Sequence, residues 1–101
     1  MKKTFPLTVE GKNPDRLLDA TKHEIRKYLK RERRRDLPEG ADFWDFDCRF
    51  GATPETSVLA HVAELIDLVD AAAKGGEKQF YIEILARPAQ RPPRPAGTDA
   101  A

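Results

Sequence analysis

The sequence is poor in the residues that usually advertise chemistry. It carries one cysteine, two histidines and one tryptophan in 101 residues. A lone cysteine excludes an internal disulfide, and with two histidines beside it a Cys/His zinc site cannot be assembled. Cys48 sits inside an apolar alternation with no activating base next to it, so a buried, reduced thiol is expected rather than a nucleophile. No glycine-rich loop follows a strand; Gly75 and Gly76 precede one, which removes a phosphate-cradling loop. No apolar run approaches the roughly 20 residues of a membrane span. The opening "MKKTFPLTVEGK" has the basic residues of a signal peptide without its apolar region. A soluble, cytoplasmic protein is the expectation, with no cofactor and no membrane contact.

Net charge is also nearly lacking, at +1. The distribution is another matter. Residues 22–35 carry a net +6, whereas residues 36–87 carry −7. The chain is divided electrically along its length, and the division matters only where folding does not cancel it. With 40% apolar and 35% charged residues, the length suits one small globular domain.

Periodicity supplies the elements. "TFPLTV" alternates Phe5, Leu7 and Val9 against polar neighbours and reads as a strand, with Pro6 either at a sheet edge or at one unpaired position. Asn13 and Pro14 form a cap followed by a first helical residue, opening a helix over 14–35. Leu17, Leu18, Thr21, Ile25, Tyr28 and Leu29 share an arc of about 120°, its buried side. Past Leu29 the apolar stripe stops, so the last turn is expected to project beyond the sheet. "FWDFDCRF" is a strand with Trp44, Phe46, Cys48 and Phe50 on the core side and Phe43, Asp45, Asp47 and Arg49 opposite.

Residues 54–61 fit two patterns. Thr53, Pro54 and Glu55 can cap a long helix, while Val58, Ala60 and Val62 alternate as the second arm of a hairpin; the β-branched content favours the hairpin. A helix with Val62, Leu65, Ile66, Val69, Ala72 and Ala73 inward follows in either case. "KQFYIEILARP" is the last strand, ended by Pro88. The expected fold is α+β, ferredoxin-like β-α-β-β-α-β over 1–88, with two helices on one face; the alternative is a three-stranded β-α-β-α-β unit. The proline-rich 89–101 reads as a disordered tail.

The combination of "MKKTF", "KHEIRKYLKRERRR", "LPEGADFWDFDCRFG" and "FYIEILARP" resembles a bacterial family of proteins of about this length classed as a domain of unknown function. The likeness covers 1–88. It implies a cytosolic bacterial protein and assigns no activity, cofactor, partner or catalytic residue.

Two constellations compete for function. Arg26, Lys27, Lys30, Arg31, Arg33, Arg34 and Arg35 form a basic helical face suited to the phosphates of RNA or DNA, or to an acidic protein surface. Its bland alternative is a solvated face partly neutralised by Glu64, Asp67 and Asp70 of the second helix. Asp45 and Asp47, about 6–7 Å apart on one side of a strand, resemble half of a hard-cation site, with His61 as a further candidate ligand on the next strand. Their bland alternative is pairing with Arg49, Arg87 or a lysine of a neighbouring strand. The open sheet face is a poor RNA platform, because Asp45, Asp47 and Glu83 repel phosphate. A non-enzymatic binding module is therefore preferred, a small metal-dependent enzyme is the alternative, and oligomeric state is open.

Overall fold

The computed structural model describes residues 1–91. The elements run β1 (Lys2–Pro6), α1 (Pro14–Arg33), β2 (Phe43–Gly51), β3 (Val58–Ala60), a 3-10 turn (Val62–Glu64), α2 (Leu65–Lys74) and β4 (Gln79–Ala89). The strands form one antiparallel sheet in the order β1-β4-β2-β3. β1 and β2 thus run the same way with β4 between them, as do β3 and β4 with β2 between them. The class is α+β and the element order is the one expected, with the hairpin reading of 54–61 correct.

The ferredoxin-like arrangement is not. In that arrangement the first and third strands are central, whereas here β2 and β4 are. The reason lies in the strands themselves. β1 carries Lys2, Lys3 and Pro6, which suit an edge, and β3 spans three residues. β2 and β4, of nine and eleven residues, offer the long apolar rows a sheet centre needs.

Those rows make the core. Phe46, Cys48, Phe80, Ile82 and Ile84 face the helices, which cover them with Ile25 and Leu29 from α1 and Leu65 and Val69 from α2. Phe80 stacks between Phe5 and Phe50 at centroid distances of 5.3 and 5.2 Å. α1 starts where its cap chemistry predicts: Asn13 Oδ1 accepts from the amides of Asp15 and Arg16. α1 ends at Arg33, followed by a tightened turn in which the Arg34 and Arg35 amides donate to the carbonyls of Arg31 and Glu32.

The β2–β3 connection folds back tightly. The hydroxyls and amides of Thr53 and Thr56 bond one another across the turn. A Cβ on Gly51 would stand 2.6 Å from Ser57 Cα, so that position requires glycine. Arg49 fastens the turn, reaching Ser57 Oγ at 3.2 Å and the Ser57 carbonyl at 2.7 Å. Tyr81 lies opposite Gly51 across the ladder and is buried although it belongs to the open face. A ring shielding a strand glycine is a known means of stabilising such a position.

Two strand boundaries differ from expectation. β1 begins and ends earlier than the alternation suggested, with Leu7 still buried and its amide donating to the Lys78 carbonyl at 2.8 Å. β4 continues through Pro88 to Ala89. The Ile84 amide and carbonyl both point toward β1, bonding Met1 at 2.7 Å each. Two-residue alternation aims the Pro88 nitrogen the same way, beyond the Met1–Ile84 pair, where no described strand lies against β4, so no ladder bond is lost. Beyond β4, Gln90 Nε2 donates to the Gly40 carbonyl and the Arg91 amide to Asp42. The rest of the proline-rich tail lies outside the described residues.

Candidate nucleic-acid interface

The basic surface is built from the end of α1 and the β2 strand beneath it. Macrodipole and sequence agree there: Lys30, Arg31 and Arg33 occupy the last turn, where cations are favoured. Arg26, Lys27, Lys30 and Arg34 are exposed, and none has a carboxylate within ion-pairing distance among the described residues.

Arg33 and Arg35 do not project beyond the sheet, which corrects the expectation from the stripe ending at Leu29, and with Arg31 they lie against aromatic rings. Arg31 lies 5.5 Å from the Tyr28 centroid, Arg33 5.3 Å from Phe46 and Arg35 4.8 Å from Trp44. Trp44 is half-buried, and its indole N–H donates to the Arg35 carbonyl at 2.9 Å, which ties the chain after α1 to β2. Arg35 Nη1 also meets Glu32 at 3.2 Å. An arginine over a ring loses little of its capacity to bind anions, because its N–H donors lie in the guanidinium plane and point outward.

Neutralisation by α2 is limited. Asp70 pairs with Lys22 at 2.8 Å, a full turn before the basic run. Lys3 takes Glu24 at 3.0 Å. Glu64 and Asp67 pair with no cation among the described residues.

The other candidate reads differently. Arg87, opposite Asp45 in the ladder, spans both carboxylates: Nη2 donates to Asp45 Oδ2 at 2.9 Å and Nε to Asp47 Oδ2 at 3.1 Å. Its guanidinium takes the space between them. Asp45 Oδ1 accepts from the Phe46 amide. His61 lies beyond β3 and caps the 3-10 turn, Nδ1 accepting from the Ala63 amide at 3.1 Å. Among the described residues no three His, Cys, Asp or Glu side chains are grouped to hold a metal ion.

Cys48 is buried in the core, and burial, helped by Asp47 and Asp45, pushes its thiol from 9.0 to about 11. Burial also raises the Tyr28 phenol, with Glu32 adding to it. The guanidinium stacks were not read from the sequence. The clue was present: Trp44 and Phe46 face the helices beyond the point where α1 has any apolar residue left to cover them, and the residues arriving there are arginines.

The molecule is thus a small α+β protein whose concentrated free charge lies at one helix end. The chain belongs to a family of unknown function, DUF6172, which matches residues 1–95 and so extends past Pro88 into the tail. Comparison with curated proteins and with solved structures gives no match.

Proposed function

We propose that the protein binds nucleic acid through the C-terminal half of α1. The observation that carries this reading is the set of exposed cations without carboxylate partners among the described residues, Lys27, Lys30 and Arg34, flanked by ring-supported Arg31 and Arg33. Lys27 and Arg34 stand about 10 Å apart along the helix axis at 1.5 Å per residue. A row of cations repeating every helical turn suits a repeating chain of phosphates, and fixed guanidinium planes suit bidentate contact with each. The bacterial, cytosolic setting is supported by the family likeness described above and by the buried thiol of Cys48. No helix among the described residues is long and apolar enough to cross a membrane.

Fluorescence anisotropy with labelled mixed-sequence RNA and DNA tests the reading. Affinity should fall with a log–log salt slope of about −3, the value for four to five phosphate contacts on a single strand. Arg31→Glu with Arg34→Glu should lower it at least tenfold. Absence of binding at low salt would overturn the proposal, and tighter binding to an acidic polypeptide than to either nucleic acid would reassign the surface to an acidic protein partner. The enzyme alternative at Asp45 and Asp47 gains no support, since Arg87 already holds both carboxylates.

A further inference from the structure

The stacks at the end of α1 suggest which form of nucleic acid is bound. Resting on the phosphate-binding reading, we infer that this surface selects single strands, with the Arg35–Trp44 stack serving as a platform for an unpaired base.

The platform is open and fixed. The Arg35 side chain is 55% exposed although its guanidinium lies 4.8 Å over the indole, so the face turned away from Trp44 meets solvent. The guanidinium is held at two points, the ring below and Glu32 at Nη1, and the indole N–H bond to the Arg35 carbonyl anchors its backbone. A side chain with this much rotamer freedom is ordinarily mobile, and ordering it in advance removes a cost that binding would otherwise bear. Phe46 follows Trp44 on the same side of β2, about 6–7 Å along the strand, and carries Arg33 in the same manner. Neighbouring bases splayed from one strand would meet successive platforms.

Base stacking on arginine planes and aromatic rings is available only to unpaired bases. A duplex keeps its bases inside and would offer these guanidinium groups phosphate alone. Each stacked base contributes about tenfold to affinity, independent of its identity. The surface should therefore recognise single-strandedness with little sequence preference. The open sheet face does not contribute, because Asp45, Asp47 and Glu83 line it.

The chain's one tryptophan is the platform residue, so its emission reports directly. The experiment titrates the full chain with a mixed-sequence single-stranded DNA, the same sequence as a duplex, and an abasic strand of equal length and charge. The single strand should bind about tenfold more tightly than the abasic strand and quench Trp44, while the duplex leaves its emission in place. Arg35→Lys keeps the charge and loses the plane, so the ratio of single-strand to abasic affinity should fall toward one. Equal affinity for single and abasic strands in the wild type, or equal quenching by duplex, would overturn this inference and leave phosphate binding standing. If none of the three binds at low salt, the phosphate reading fails first.

Discussion

The two sides of β2 use arginine in opposite ways. On the side turned to the helices, Arg33 and Arg35 lie over Phe46 and Trp44. On the open side, Arg87 is held by Asp45 and Asp47 at 2.9 and 3.1 Å. The chemical group is the same and the strand is the same. A ring below a guanidinium takes none of its N–H donors, although Arg35 gives Nη1 to Glu32; two carboxylates beside Arg87 consume them. Counting cations in a sequence therefore says little about anion binding until their partners are known. Most of the basic run escapes carboxylates, because what waits beneath its end is aromatic.

Three measurements would break or sharpen that contrast. The largest effect is expected from Phe46→Ala, which removes a buried ring and the support of Arg33 together. Urea unfolding should show a loss of about 3–5 kcal/mol. Asp47→Ala on the opposite side should cost less than about 1 kcal/mol, and equal costs would mean that the two sides are not distinct in kind.

Cys48 lies between them, on the helix side but close to the Asp47 and Asp45 charges. Its thiol is raised from 9.0 to about 11, so the fold favours the neutral form. The associated stability is complete below pH 9 and is lost as pH rises through about 11. Relative to Cys48→Ala, the wild type should therefore lose about 2 kcal/mol over that interval in denaturant titrations. A pH-independent difference would place the thiol in a more polar setting than the core.

The smallest effect belongs to Arg87→Ala. Its ion pairs are exposed, so removal should cost no more than about 1 kcal/mol. A double-mutant cycle with Asp45→Asn should recover part of the loss, since the like charges left behind are then relieved. Nucleic-acid affinity should stay within twofold of wild type; a large drop would show that the open side belongs to the interface after all.

What could be read in advance was local. Asn13 and Pro14 announced the start of α1, and the Phe43–Phe50 alternation announced β2 with its correct inward side. The alternation of Val58, Ala60 and Val62 favoured β3, since cap chemistry and strand alternation both operate within a few residues. The order of strands was not legible by the same means, although Pro6 held a hint. With Lys2 and Lys3 it marks an edge strand, and a ferredoxin-like sheet has no place for its first strand at an edge. Given full weight, that proline and the two lysines count against the arrangement expected, although a single unpaired position would also accommodate Pro6. The destination of Arg33 and Arg35 depends on where α1 crosses the sheet, a tertiary quantity that no residue pattern states. The Asp45–Arg87 pairing was foreseen as one of several options, because strand partners were limited in number.

Past Ile84, β4 has a neighbour on one flank alone among the described residues. An incoming chain seeking to extend the sheet along that bare flank would find, at Pro88, a ring where a hydrogen should be. Such a stretch is refractory to strand addition without any charge stationed on it, and the same residue type protects the end of β1. Unwanted polymerisation would have to begin instead at Val58 and Leu59, which are 64% and 79% exposed on the opposite margin and carry no such safeguard.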